Sequence, residues 1–225
     1  MDADHAKVLA AQKALEFISD GMIVGLGTGS TAKHFIEVLG ERVKQGLKIR
    51  GIATSNASEQ LAKSLNIPII DFHQTSIIDV NVDGADEIAP GLALIKGGGG
   101  ALLREKIVAS AAKKFIVVAD SSKIVAHLGK FPLPVEVIPM AAPLVAAKLA
   151  ALGIRPAVRH TPPGPEFITD EGNLILDCTC GEILDPHALA ASIRAMVGVV
   201  EHGLFLNMAD LAIVSSEHEI QLLKK

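Results

Sequence analysis

A glycine-rich segment with hydroxyl residues, Gly25 to Thr31, has the composition of an anion-binding site. It follows a short apolar run predicted as a strand, and Ser30 or Thr31 can cap the helix predicted to follow. Glycines let backbone N–H groups converge, and a helix N-terminus favours negative charge. A dinucleotide fingerprint would have glycine where Ser30 stands, and a P-loop would have Gly-Lys-Ser/Thr. The segment therefore indicates a site for a single phosphate, with an ordinary glycine-rich turn and helix cap as the alternative.

Carboxylates are concentrated in the segment Asp79–Glu87, DVNVDGADE. Its opening resembles a calcium-binding loop, but the twelfth position is Pro90, where such a loop needs a bidentate glutamate. Alternating aliphatic residues from Ile78 to Val82 favour a strand instead. Asp83 and Asp86 would then lie at its carboxyl end, where open α/β sheets bind ligands. Turn stabilisation or simple solvation of these carboxylates is the alternative.

Four consecutive glycines follow Lys96 and precede a predicted helix that carries Glu105. Ordering glycines costs much backbone entropy, so the run indicates that something approaches the Gly97–Gly100 backbone closely. A flexible surface loop and, for Glu105, a solvated helix position are the alternatives. Lys123 follows a further predicted strand and can present a cation at the same edge of the sheet. There the alternative is a helix cap formed by the preceding Asp-Ser-Ser.

The histidines and cysteines do not support metal chemistry. The eight histidines show no ligand-pair spacing such as H-x-H or H-x-x-x-H. Cys178 and Cys180 form a C-x-C that lacks a second ligand pair and is too closely spaced for an unstrained mutual disulfide. We expect two reduced thiols on a strand and no bound metal, with redox or metal chemistry at the pair as the alternative.

The elements that position these residues alternate between helix and strand. Helical spacing of apolar residues predicts helices at 5–18, from Ser30, at 58–65 and at 101–112. Buried aliphatic runs predict strands at 22–26, 48–53, 67–71, 77–82 and 115–119. This alternation predicts an α/β fold, a Rossmann-like parallel sheet flanked by helices.

The composition changes after Lys130, where FPLPVEVIP places three prolines in nine residues. The following order of strand, helix, two strands, helix and strand predicts a smaller α+β domain of the ferredoxin-like, split βαβ kind. A strand near 155–159, a hairpin-like pair formed by FIT and LILDCT, and a helix at 186–197 capped by Asp185 are predicted in this region. We therefore expect a catalytic domain at 1–130, a small α+β domain at 131–205, and at 206–225 a strand and tail that return to the first sheet.

Composition and charge exclude several classes of function. The 225 residues are 49% hydrophobic and include neither tryptophan nor tyrosine, which suits a core of Val, Ile, Leu and Ala. The formal net charge is −4 without a basic block, so we expect no nucleic-acid partner. The longest stretch without Asp, Glu, Lys or Arg, 21–32, is shorter than the roughly 18 residues of a membrane span. With the acidic start MDADHAK, this predicts a cytoplasmic protein with no membrane partner.

Five separated segments form a recognisable combination: GLGTGSTA, VDGADEI, KGGGGALLREKI, KFPLPVEVIP and EILDP. In this order, and in register from about Lys7 to the C-terminus, they closely resemble the type A family of ribose-5-phosphate isomerases. The resemblance implies reversible conversion of D-ribose 5-phosphate to D-ribulose 5-phosphate through an enediol or enediolate, in the non-oxidative pentose phosphate pathway, without cofactor or metal. It also implies a homodimer or homotetramer, for which the second domain offers apolar surface.

The resemblance further implies which residues act on the substrate. The glutamate of the GGG…REK motif, Glu105, would be the base that carries a proton between C1 and C2. Within the segments that contact substrate in the family, we infer that Asp83 and Asp86 hold sugar hydroxyls and assist ring opening, and that Lys96 offsets the enediolate charge. The remaining contacts with the sugar and its phosphate would come from Thr28, Gly29, Ser30, Thr31, Gly84, Ala85, Gly97, Gly98, Gly99 and Lys123.

Two other functions fit part of the sequence. A sugar-phosphate-binding sensor domain of a regulator would use the same glycine segments without catalysis. The first predicted helix begins near residue 4, however, and neither a helix-turn-helix nor a basic face accompanies it. An amino-sugar phosphate deaminase or an acyl-transfer enzyme fits the glycine loops but not the VDGADE and KGGGG…REK set. The isomerase accounts for all the motifs.

Overall fold

The helices and strands below are those of a computed structural model, which describes residues 3–216 and 219–225. Helices α1 to α6 span Ala3–Ala14, Ser30–Lys44, Asn56–Ser64, Leu102–Ser110, Ala142–Ala151 and Pro186–Arg194. Strands β1 to β7 span Ile23–Leu26, Arg50–Ala53, Val80–Asp83, Glu87–Ala89, Ala93–Ile95, Phe115–Asp120 and Leu133–Val137. Strands β8 to β13 span Arg155–Val158, Leu174–Thr179, Val199–His202, Leu204–Phe205, Leu211–Ser215 and Ile220–Lys224.

The first of two units is built around a mostly parallel sheet. It comprises the described residues up to Ala85, Arg104–Lys123 and those from Asn207 onward. Its described strands lie in the order β13-β12-β6-β3-β1-β2, and only β13 is antiparallel to its neighbour. Strand β1 has β2 on one side and β3 on the other, so the strand order reverses at β1. Open α/β sheets bind ligands at such a reversal, beyond the carboxyl ends of the strands.

Side chains alternate between the two faces of this sheet. Val24 and Val82 belong to a cluster with buried side chains of α1 and α2, including the fully buried Phe35. Ile23 belongs to a separate cluster with Val108 of α4, so α4 lies on the opposite face. Burial of Phe35 alone contributes about 1.5–3 kcal/mol. Helices on both faces thus hold the carboxyl edge of the sheet in place.

The second unit, Asp86–Leu103 and Ile124–Leu206, contains an α+β module. Elements β7, α5, β8, β9, α6 and β10 follow one another along the chain, and the strands pair antiparallel in the order β10-β7-β9-β8. This is a split βαβ topology of the ferredoxin-like kind. A smaller antiparallel sheet joins β11, β5 and β4. The predicted α/β fold class, with a parallel sheet flanked by helices, is confirmed.

The proline-rich segment after Lys130 forms β7. All five residues of β7 are buried, and the strand lies between β9 and β10. Its apolar side chains at Leu133, Val135 and Val137 belong to the core of the second unit, which explains why a proline-rich stretch is extended and buried there. The structure also groups 86–103 and 124–130 with the second unit, whereas the predicted division runs at 130/131.

Two predicted strands are reduced to single backbone bridges. The segment at 67–71 bridges β2 through Ile69, and Pro68 has no N–H with which to extend the pairing. The segment FIT bridges β9 through Ile168 and Leu174 and then turns at Gly172, whose N–H donates to the Thr169 carbonyl. Near the C-terminus, β12 pairs in parallel with β6, as the predicted return to the first sheet requires.

The two cysteines are free thiols. Cys178 is buried on β9, and Cys180 lies just beyond the end of that strand. Burial raises the pKa of the Cys178 thiol well above its usual value and raises the pKa of Cys180 to about 11. Both thiols are therefore protonated at neutral pH, where the thiolate needed for redox or metal chemistry is scarce.

Candidate active site

Asp83 ties together the two strands at the reversal point of the first sheet. Its carboxylate is fully buried at the end of β3, and Oδ1 accepts hydrogen bonds from the N–H of Thr28, at 3.0 Å, and of Gly84, at 2.8 Å. The loop after β1 is thereby joined to the end of β3. The predicted residues Thr28, Asp83 and Gly84 thus lie in direct contact.

The helix that follows this loop begins without a side-chain cap. Gly29, with φ +100°, occupies the N-cap position of α2, and the helix itself starts at Ser30. The predicted capping by Ser30 or Thr31 is therefore wrong, because both residues already lie inside the helix. Glycine is suited to this position since its φ lies in the left-handed region. An N-terminus without a capping side chain leaves first-turn N–H groups for an anion.

A cluster of hydroxyl groups lies behind the loop, and the sequence motifs do not predict it. Thr28 Oγ1 lies 2.7 Å from Thr54 Oγ1 and 2.8 Å from Ser55 Oγ. Ser58 Oγ donates to the Gly27 carbonyl at 2.6 Å. These partners follow β2, the neighbour of β1, so the hydroxyl-rich run TSNAS directly after a predicted strand is the signal that could have identified them. The cluster fixes the side chain of Thr28.

Gly27 is required by this packing, and Gly27→Ala is expected to destabilise the fold by about 1–3 kcal/mol. An added Cβ would lie 2.6 Å from the Cα of Asp83, so backbone would have to move. Gly84→Ala is the matched control, because its Cβ would meet nothing closer than the Thr28 carbonyl oxygen at 3.8 Å. Urea unfolding of both variants measures the difference. Equal urea midpoints for Gly27→Ala and Gly84→Ala would contradict the steric clash inferred at Gly27.

Glu105 lies in the first turn of α4 and is only 3% exposed. The first turn of α4 is also joined to the start of α3, because Arg104 Nη1 donates to Asn56 Oδ1 at 2.9 Å. The alternative of a solvated helix position is therefore wrong for Glu105. A buried carboxylate on a rigid helix is suited to moving a proton.

Lys123 ends a short 3₁₀ turn, Ser121–Lys123, that follows β6. Asp120 Oδ1 accepts the N–H of Ser122 at 3.0 Å and also its hydroxyl, so the capping interaction considered for this segment is present. The side chain of Lys123 is partly exposed. It therefore stands, like Thr28 and Asp83, beyond the carboxyl end of a parallel strand of the first sheet.

In the second unit, Asp86 and Lys96 flank the β4–β5 hairpin. The N–H of Asp86 donates to the Ile95 carbonyl at 2.8 Å, and the N–H of Lys96 donates to the Gly203 carbonyl at 2.9 Å. Lys96 is only 2% exposed, and its Nζ lies 5.3 Å from the centre of the Phe205 ring, a cation–π distance. The hairpin thus holds a buried cation in a defined place.

The glycine loop is ordered by specific hydrogen bonds. The N–H of Gly98 donates to Asp86 Oδ2 at 2.8 Å, and the N–H of Gly100 donates to the Gly97 carbonyl at 3.0 Å. A Cβ on Gly98 would lie 2.5 Å from Asp86 Oδ1. Gly98 and Gly99 are exposed, whereas Gly97 is buried with φ +99°. The close approach inferred from the four glycines is therefore made in part by the Asp86 carboxylate.

Comparison with known proteins places the chain in a family. A model of the family "Ribose 5-phosphate isomerase A (phosphoriboisomerase A)" matches residues 50–219. The curated ribose-5-phosphate isomerase A of Sphingopyxis alaskensis is 53% identical, over 93% of this chain and 91% of its own. This chain belongs to the ribose 5-phosphate isomerase A family. The curated isomerase A of Shouchella clausii is 52% identical over 99% of this chain and 97% of its own.

Solved ribose-5-phosphate isomerase structures share the fold over the full length. The isomerase A of Methanocaldococcus jannaschii matches with a TM-score of 0.95 and 40% identity, covering 100% of both chains. A D-ribose-5-phosphate isomerase in complex with phospho-erythronic acid matches with a TM-score of 0.97 and 41% identity, again over 100% of both chains. The family resemblance predicted from the five motifs is confirmed.

Among the described residues, no three His, Cys, Asp or Glu side chains are grouped so that they could hold a metal ion. None of the described helices is long and apolar enough to cross a membrane.

Proposed function

We propose that this protein interconverts D-ribose 5-phosphate and D-ribulose 5-phosphate. The observation that carries the proposal is the match to curated ribose-5-phosphate isomerases A at about half identity over nearly the whole chain. The buried carboxylate of Glu105 and the buried ammonium of Lys96 supply the two kinds of group that the reaction requires. The reaction moves hydrogen within one molecule, so no external oxidant or reductant is needed.

Glu105 is the base of the proposed mechanism. In the direction of ketose formation, its carboxylate removes the proton from C2 of the open-chain aldose, and the electron pair forms the C1–C2 double bond of an enediolate. The carbonyl oxygen O1 takes up the negative charge. The proton on O2 passes to O1, which moves the negative charge to O2. Glu105 then returns its proton to C1, the electron pair of the C1–C2 double bond forms the new C1–H bond, and the C2 carbonyl forms. Burial of Glu105 limits exchange of this proton with water.

Lys96 stabilises the negative charge that develops on the enediolate oxygens, and Gly97, Gly98 and Gly99 form the backbone beside it. Asp86 holds a sugar hydroxyl and assists ring opening. On the first unit, Asp83 likewise holds a sugar hydroxyl and assists ring opening, and Gly84 and Ala85 follow it in the chain. Because Asp83 Oδ1 already accepts two backbone N–H groups, Asp83 also fixes the loop that carries Thr28.

The phosphate group is proposed to bind at the start of α2. Gly29, Ser30 and Thr31 offer backbone N–H groups there, and no side chain of the N-cap residue occupies them. Lys123 adds a positive charge at the same edge of the first sheet, and Thr28 is held in place by its hydroxyl partners. A single phosphate, rather than a nucleotide, fits this set of donors.

The test is direct detection of ribulose 5-phosphate formed from ribose 5-phosphate by the purified protein in excess EDTA. Conversion is expected, and its persistence in EDTA is expected because the proposed mechanism uses no metal or cofactor. Circular dichroism confirms that the sample is folded. If a folded sample fails to convert substrate yet binds it in calorimetry, the sugar-phosphate sensor function is correct instead.

We further propose that the protein acts in the cytoplasm as a homodimer or homotetramer assembled through the second unit. That unit exposes large aliphatic side chains, among them Met140 at 93%, Val197 at 79% and Leu184 at 78% exposure. Single exposed residues of this kind are ordinary, but several on one small module favour an interface. Sedimentation equilibrium tests the assembly. A mass of 23.5 kDa at micromolar concentration, that of one chain, would contradict it.

A further inference from the structure

Arg159, which directly follows β8 in the second unit, is held firmly by both its backbone and its side chain. Its N–H donates to the Ile175 carbonyl and its carbonyl accepts the N–H of Phe167, each at 2.8 Å. Its Nε and Nη2 donate to the two carboxylate oxygens of Asp177, at 2.9 and 2.5 Å. A bidentate pair with a carboxylate fixes the plane of a guanidinium group. The remaining nitrogen, Nη1, therefore points in one direction.

Nη1 is directed at the glycine loop. It donates to the carbonyl oxygens of Gly97, at 2.9 Å, and of Gly98, at 3.1 Å. The ring of Phe167, whose centre lies 5.9 Å from Arg159 Cζ, packs against Gly100 so closely that a Cβ there would clash with the ring. The loop is thus held at three of its four glycines by Arg159 and its neighbour Phe167.

The geometry of the peptide bond turns this contact into an orientation of the loop. In a trans peptide the C=O and the following N–H point in opposite directions. The carbonyls of Gly97 and Gly98 converge on one nitrogen, so the N–H groups of Gly98 and Gly99 leave on the other side. The N–H of Gly98 does so and meets Asp86 Oδ2. Successive N–H groups that face one side form an anion-binding concavity.

We propose that Arg159, held by Asp177, is a positioning residue that presets the Gly97–Gly100 loop so that the Gly99 N–H faces the side of Asp86. There it donates a hydrogen bond to a substrate oxygen. This inference rests on the proposed function, in which Asp86 and the loop contact the sugar. Arg159 itself touches loop carbonyls and not the reacting atoms. Without this contact, the four glycines would populate many conformations, and few of these would direct the Gly99 N–H toward the side of Asp86.

Loss of Arg159 should therefore act on substrate affinity. When the competent loop conformation is only a fraction of the population, apparent affinity falls by that fraction, whereas saturating substrate restores the ordered loop. Arg159→Met is expected to raise KM for ribose 5-phosphate by about tenfold or more and to change kcat by less than about threefold. Guanidinium chloride at millimolar concentration, added to Arg159→Ala, is expected to lower the raised KM again.

The matched control is Arg155→Met at the start of β8, since Arg155 is exposed. It is expected to keep the KM of the unchanged protein. An unchanged KM in Arg159→Met overturns the proposal. So does a fall in kcat and melting temperature at constant KM without rescue by guanidinium, because that pattern marks a merely structural arginine.

A second readout does not depend on catalysis. Hydrogen–deuterium exchange of the peptide containing Gly97–Gly100, in protein without substrate, is expected to be at least tenfold faster in Arg159→Met than in Arg155→Met. Equal exchange overturns the positioning role even if the protein proves not to be an isomerase. Absence of isomerisation by the unchanged protein, with faster loop exchange in Arg159→Met, instead counts against the proposed function alone.

Discussion

Glu105→Gln is expected to fold like the unchanged protein and to lose about 10²–10⁴-fold in kcat for ribose 5-phosphate. Glutamine has nearly the volume of glutamate and fits the same buried position, where only 3% of the residue is exposed. Its amide cannot accept the proton from C2. Steady-state kinetics measures the loss, and the melting temperature shows whether the fold is retained.

Glu59→Gln provides a matched control for that experiment. Glu59, like Glu105, is a glutamate in the first turn of a helix, but its side chain is 37% exposed and pairs with Lys63. It is expected to keep full turnover. With substrate deuterated at C2, the unchanged protein should show slower turnover, because the C–D bond is broken by the base. Near-native turnover of Glu105→Gln would show that another group removes the proton.

Lys96→Met is expected to lower kcat by about 10²–10³-fold. Methionine replaces most of the aliphatic stem but not the ammonium group, so the enediolate loses its buried positive partner. A charge that develops during the reaction is stabilised far more in a buried site than in water. Binding of the uncharged sugar hydroxyls depends less on this group, so KM should change less than kcat.

Lys148→Met tests whether loss of any lysine from the second unit has this effect. Lys148 lies in the last turn of α5 and is exposed. Its variant is expected to match the unchanged protein in kcat and in KM. If Lys96→Met retained turnover within threefold of Lys148→Met, the assigned stabilisation of the enediolate by Lys96 would be wrong.

Periodicity and turn residues predict those parts of the structure that local sequence determines. Asp185 caps α6 as expected, with its carboxylate accepting the N–H of Ala188 at 2.9 Å. The aliphatic runs that become β1, β2 and β6 are predicted to within two residues at each end. Strands β4, β5 and β11 are only two or three residues long, too short for periodicity to show, and they are missed.

The partners within the candidate site depend on which strands become neighbours, and one sequence does not show this. Thr54 and Ser55 reach Thr28 only because β2 pairs with β1. Arg159 lies 62 positions after Gly97 in the sequence, and the composition of the chain around Arg159 does not indicate that the two residues are in contact. The motifs therefore predict the groups that we propose to act on substrate, whereas the residues that hold those groups in place are seen only in the fold.

The pairing of β6 with β12 has a consequence for how the chain folds during synthesis. The N–H of Phe115 bonds to the carboxylate of Asp210, 95 positions later, and β12 then lies along the whole of β6. While a ribosome is still adding those later residues, the apolar strand β6 has an unpaired edge. Such an edge can pair with another nascent chain. Completion of the sheet must therefore wait until residues 211–215 leave the exit tunnel, and slow translation of the segment between β6 and β12 would prolong the interval in which aggregation competes with folding.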